Sequence, residues 1–160
     1  MLINQIIEVL DTFRPVGLDD IGNSRLMNRI DTKYLISVKK VPELMTKMDG
    51  HYRVLDINNN RIFSYYTTYL DTDDFLFYNQ HVTGRLSRNK VRYRKYETTG
   101  LTFLEIKHKT NKNRTIKWRI EHDPAPGNEC DRIACEFIDE YLPQKTLRLK
   151  PVLNLGLNRC

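Results

Sequence analysis

Three consecutive segments, residues 90–97, 101–108 and 114–121, alternate residue by residue between charged and apolar side chains. Successive side chains of a strand point to opposite faces, so residues two apart share a face. In the first segment Lys90, Arg92 and Arg94 oppose Val91, Tyr93 and Lys95. In the second, Phe103, Glu105, Lys107 and Lys109 oppose Leu104, Ile106 and His108. In the third, Thr115, Lys117, Arg119 and Glu121 oppose Ile116, Trp118 and Ile120. The connections, Thr98-Thr99-Gly100 and residues 109–113, are hairpin-length and too short for a parallel crossover, so the strands are antiparallel. One face of this sheet is apolar. The other is nearly all arginine and lysine.

The rest of the 160-residue chain is consistent with an α+β fold in a single domain spanning residues 1–160. Residues 2–13 place Leu2, Ile3, Ile6, Ile7, Leu10 and Phe13 at helical spacing, with Arg14-Pro15 ending the helix. Residues 30–38 alternate as a strand, and 41–48, with Pro42 in the first turn, predict a short helix. Residues 52–57 and 61–70 predict a hairpin through Asn58-Asn59-Asn60. Residues 73–81 predict helical turns capped by Asp73 or Asp74, 130–141 an amphipathic helix, and 151–157 a last strand. That helix, through Ile133, Phe137, Ile138 and Tyr141, is expected to cover the apolar layer of Val91, Tyr93, Leu104, Ile106, Ile116, Trp118 and Ile120. Three cysteines suit a reducing compartment better than a disulfide framework, and no apolar run reaches a membrane-spanning length, so the expected location is the cytoplasm.

The formal charge of +6 is unevenly spread. Residues 84–119 hold twelve basic side chains and two acidic ones, a net +10, which leaves the remainder at −4. Like charges facing each other across strands cost stability, a cost an anion lying among them would remove. Arginine forks bind phosphate oxygens bidentately and lysine adds a point charge. Glu105, a lone carboxylate among these cations, is a natural ligand for a hard divalent ion that also bridges phosphates; a cross-strand ion pair to Lys117 or Arg94 is the plainer role. His81 is a candidate phosphate contact. DNA is not an expected partner, because alternation puts only Phe103 among the cations whereas single-strand binders interleave several stacking aromatics. No Gly-rich phosphate loop, zinc-ligand spacing or nucleophile elbow occurs.

Asn28-Arg-Ile-Asp-Thr-Lys-Tyr34, Thr67-Thr-Tyr-Leu-Asp-Thr-Asp73, Tyr78-Asn-Gln-His81, Gly84-Arg-Leu-Ser-Arg-Asn-Lys-Val-Arg-Tyr-Arg94, Phe103-Leu-Glu-Ile-Lys107 and Arg114-Thr-Ile-Lys-Trp-Arg119 resemble the VTC domain. This is the polyphosphate-polymerase domain of the vacuolar transporter chaperone complex, within the triphosphate tunnel metalloenzymes. The resemblance implies an antiparallel β-barrel, the triphosphate tunnel, with helices packed outside. It implies transfer of the terminal phosphoryl of ATP to inorganic polyphosphate, aided by Mn2+ or Mg2+. By the same resemblance Lys33, Arg92, Arg94 and Lys107 are catalytic, and Arg29, Lys33, Arg85, Lys90, Arg92, Arg94, Lys107, Lys117, Arg119 and Arg159 bind phosphate, with Glu105 at the metal.

Family members continue with further tunnel strands and a metal-binding glutamate beyond the point where this sequence stops at Cys160. The expectation is therefore an open sheet, self-association through its exposed edge, and weak or absent polymerase activity for this chain alone. Two other functions fit the same residues: a tunnel-fold triphosphate hydrolase, and a non-catalytic module binding polyphosphate, inositol phosphates or RNA.

Overall fold

A computed structural model describes residues 2–20, 32–112, 114–125, 127, 130–142 and 148–160. The chain divides into two compact units, Met1–Ile62 with Cys160, and Phe63–Arg159.

In the first unit, α1 (Leu2–Thr12) buries Leu10 and stops ahead of Pro15, whose ring cannot continue a helix. Strand β1 (Arg14–Val16) pairs in parallel with β2 (Arg53–Leu55), and α2 (Val41–Met48) carries Pro42 in its first turn as expected. Leu10, Phe13, Met45 and Val54 form its core. The strand predicted over residues 30–38 is not formed by its described part, 32–38. Residues 30 and 31 lie outside the described residues, 32–37 are irregular and exposed, and Val38–Lys40 is one 3-10 turn leading into α2. The predicted hairpin is also replaced. Asn58 and Asn59 adopt positive φ and close a turn through the Ile57–Asn60 bridge, but β2 takes β1 as its partner. Arg61 then anchors the chain, donating to Asp56 at 2.9 Å and to the Leu10 carbonyl at 2.8 Å.

The second unit is a five-stranded antiparallel sheet. Its strands are β3 (Phe63–Asp71), β4 (Arg88–Tyr96), β5 (Thr102–Lys109), β6 (Thr115–Glu121) and β7 (Lys150–Arg159), in the order β6-β5-β4-β3-β7. The sheet is not closed into a barrel: among the described residues β6 and β7 are its edges. The β4–β5 hairpin turns through Gly100, whose φ of 70° is costly for any residue with a Cβ.

The alternation read from the sequence holds along β4 and β5. Val91, Leu104 and Ile106 are fully buried and Tyr93 nearly so, each such aliphatic contributing about 1.5–3 kcal/mol. Over them lie α3 (Leu76–Val82), through Phe77, and α4 (Arg132–Tyr141), through Ala134, Phe137 and Ile138. Trp118 is only partly buried, 5.0 Å from the Tyr141 ring between centroids. Two residues expected in this layer fall outside it, since Ile116 on edge strand β6 and Ile133 on the outer side of α4 are exposed.

Helix α3 is held by a group the sequence reading did not select. Asp71, the last residue of β3, is buried, and its carboxylate accepts the N–H groups of Phe77 and Tyr78, each at 2.9 Å. Thr72 Oγ1 accepts that of Leu76 at 3.0 Å. The expected caps do other work: Asp73 pairs with Lys150 on the surface, and Asp74 accepts a hydrogen bond from Thr72.

Candidate functional site

Strand register decides which cations meet. Lys90, Lys107 and Lys117 stand opposite one another across β4, β5 and β6. One pleat further along β4 come Arg92, Glu105 and Arg119, and one further again Arg94, Phe103 and Glu121. Across the β4–β3 seam Arg92 faces Tyr69, Arg94 faces Thr67, and Tyr96 faces Tyr65. All these residues share the sheet face opposite the apolar core. Leu153, Leu155 and Leu157 of β7 extend that face and are exposed, with Arg159 at its far end opposite Phe63.

The three arginines are held in two different ways. Arg92 is ion-paired: its Nε and one terminal nitrogen both reach Glu105 Oε2 at 2.7 Å, and the other donates to the Tyr69 hydroxyl at 3.4 Å. Burial works against this charge, but the Tyr69 hydrogen bond and the Glu105 carboxylate outweigh it, and the guanidinium is held above its ordinary range. The partner of Glu105 is therefore Arg92, directly across the ladder, in place of the Lys117 or Arg94 expected from sequence. Arg94 and Arg119 have no carboxylate partner among the described residues. Each lies over an aromatic ring instead, Arg94 at 4.5 Å from the Tyr65 centroid and Arg119 at 4.8 Å from that of Phe103. Arg94 also donates to Thr67 Oγ1 at 3.4 Å.

The remaining sequence-selected residues are dispersed. Arg85 sits in the exposed loop before β4. Lys33 lies in the irregular stretch of the first unit, and Arg29 falls outside the described residues. His81, on α3, lines a mostly apolar groove of about 620 Å3 together with Phe75, Tyr78, Lys90, Tyr69 and Leu153. The aromatic content of the cationic face was underestimated: Tyr65, Tyr69 and Tyr96 join Phe103 there. Tyr96 shares the period-two spacing of Arg92 and Arg94, a signal already present in the sequence. His108 and His122 lie on the opposite side, bonded to Asn89 at 2.7 Å and between the Tyr93 hydroxyl and Asp131 at 3.0 Å each.

No group of three His, Cys, Asp or Glu side chains suited to a metal occurs among the described residues. Glu105 gives both Arg92 contacts to Oε2, and among the described residues its Oε1 accepts no hydrogen bond. One such oxygen fits Mg2+ or Mn2+ held mainly by phosphate and water, and does not fit an all-protein cage.

Phe63–Arg159 is thus a helix-backed antiparallel sheet whose second face gathers the cations and the aromatic rings. The chain belongs to the VTC domain family, whose model matches residues 28–154. A comparison with curated proteins finds no match. No helix among the described residues is long and apolar enough to cross a membrane.

Proposed function

We propose that the cationic face of Phe63–Arg159 binds ATP and inorganic polyphosphate for phosphoryl transfer of the polyphosphate-polymerase type. The observation that carries this reading is the in-register cross-strand row of Lys90, Lys107 and Lys117 beside Arg92–Glu105–Arg119, supported by membership of the VTC family. Phosphoryl transfer asks for positioning and charge neutralisation more than for a protein nucleophile. In this reading Lys90, Lys107, Lys117, Arg94 and Arg119 hold phosphate oxygens, and Arg92 fixes the Glu105 carboxylate. The groove beside Lys90 has the volume of a small-molecule pocket and would take the nucleoside. Glu105 Oε1 would hold Mn2+ or Mg2+, which when bound adds neutralisation of the phosphate charge. The γ-phosphoryl passes to the terminal oxygen of the polyphosphate chain and ADP leaves. The cytoplasm, where ATP is abundant, is the compartment this reading implies.

The test is calorimetric titration with tripolyphosphate. Arg94→Ala and Arg119→Ala should each weaken binding about 10–100-fold, the value of a lost charged hydrogen bond. Unchanged affinity in both variants refutes the assignment of the face. Incubation with ATP and Mn2+, followed by gel analysis of chain length, separates polymer synthesis from simple release of phosphate.

A further inference from the structure

The cationic face stabilises its arginines by two means with opposite consequences. The Glu105 carboxylate stabilises Arg92 by cancelling its charge. An aromatic ring stabilises a cation through its quadrupole and leaves the charge intact. Arg94 and Arg119 are treated in this second way, over Tyr65 and Phe103, whereas Arg92 adds to its carboxylate only a longer ring contact, 6.0 Å from the Tyr69 centroid. Each ring is the diagonal neighbour of its arginine, two residues from the position directly opposite, a separation that long and aromatic side chains span. Tyr96 lies between the two rings, 6.2 Å from Tyr65 and 6.0 Å from Phe103, edge-on to the latter at 79°. The result is one continuous aromatic strip with a guanidinium on each end.

We infer that Tyr65 and Phe103 are positioning residues that hold Arg94 and Arg119 as preoriented, uncompensated phosphate clamps. This rests on the proposed function of the face. A guanidinium lying over a ring keeps N–H groups for phosphate oxygens: Arg94 gives its Nε–H to Thr67 but leaves its two terminal nitrogens, a pair that still matches phosphate bidentately. An unstacked arginine surrenders much of its rotamer freedom only when the anion arrives, which weakens binding. A carboxylate in place of either ring would hold the side chain equally still but would compete with the phosphate.

The experiment compares Tyr65→Leu and Phe103→Leu with the aromatic exchanges Tyr65→Phe and Phe103→Tyr, all in the full chain. The readouts are tripolyphosphate calorimetry at several salt concentrations, and the NMR signals of the Arg94 and Arg119 Nε–H groups. Thermal melts confirm folding at the binding temperature. Each leucine variant should bind about 3–10-fold more weakly with unaltered salt dependence, since no charge is removed, whereas Arg94→Ala should flatten the salt dependence. The aromatic exchanges should restore wild-type affinity. Ring-current shifts of the two Nε–H signals should vanish in the leucine variants and persist in the exchanges. Wild-type binding by the leucine variants, or weak binding that the aromatic exchanges fail to restore, overturns the inference. Failure of the unaltered chain to bind tripolyphosphate would instead sink the functional reading, and the ring-current signature would then decide the stacking by itself.

Discussion

Replacing Asp71 with alanine tests how the second unit carries its helix α3. Asp71 is 3% exposed, and its two oxygens accept the N–H groups of Thr72 at 2.8 Å, Phe77 at 2.9 Å and Tyr78 at 2.9 Å. A hydrogen bond to a charged group contributes about 1.5–3 kcal/mol, and two of these close the first turn of α3. Water can take over at Tyr78, which is 60% exposed, but not readily at Phe77, which is 3% exposed. The expected loss for Asp71→Ala is therefore about 3–5 kcal/mol. Asp71→Asn keeps the shape and one acceptor but turns an amide N–H2 toward a backbone donor, for a loss of about 1.5–3 kcal/mol. In a unit of this size each kcal/mol moves the melting midpoint by about 4–8 °C, so Asp71→Ala should melt more than 12 °C early by circular dichroism. Asp73→Ala is the control: its pairing with Lys150 is on the surface, where solvent screens it. A loss below 1 kcal/mol for Asp71→Ala, or one equal to that of Asp73→Ala, would refute this account of the cap.

Two further outcomes are expected. Glu105→Gln removes the one carboxylate from the middle row, so metal-free tripolyphosphate should bind about 3–10-fold more tightly while the further gain on adding Mn2+ shrinks; an identical Mn2+ response in calorimetry would remove Glu105 from the metal site. Asp131 caps α4, and the Ala134 N–H lowers its carboxyl pKa most, with burial opposing and His122 adding to the lowering. A group depressed in this way contributes stability in full above its ordinary value near pH 4 and loses it as pH falls below that; urea unfolding of Asp131→Asn should lose less stability than wild type between about pH 4 and pH 2, and parallel acid limbs would contradict the assignment.

The legible part of the fold was the part where one face is buried and period-two alternation leaves no choice. Residues of β4 and β5 obeyed it because a slip by one residue would put Arg92 in the core and Val91 in water. The same rule failed at 32–38, where alternation alone does not make a strand without a partner, and at 52–57, whose partner came from the N-terminal segment in place of the next strand in sequence. At the candidate site, alternation assigned residues to faces but not to rows. The pairing of Arg92 with Glu105, and of each remaining arginine with a ring, follows from the hairpin register set at Thr98-Thr99-Gly100 and from β3 entering beside β4. Asp71 was missed because a cap seven residues before the N–H it accepts depends on a loop that doubles back, which no local spacing reveals.

The lysine row has a consequence for direction. Counted across β4, β5 and β6, successive rows carry +2 at Arg88 and Lys109, +3 at Lys90, Lys107 and Lys117, +1 at Arg92, Glu105 and Arg119, and 0 at Arg94, Phe103 and Glu121. Rows on one face are about 6.6 Å apart, two residues of strand rise. Formal charge on these three strands therefore falls from the lysine row to the Arg94 row, over about 13 Å. A linear anion laid along that slope is not indifferent to which way round it lies. Its end phosphate carries more charge than its internal ones and is drawn toward the lysines, while the interior of the chain rests among the arginines and rings. A flat sheet of equal charges would only hold such a polymer. On the proposed function, this one gives it a head and a tail.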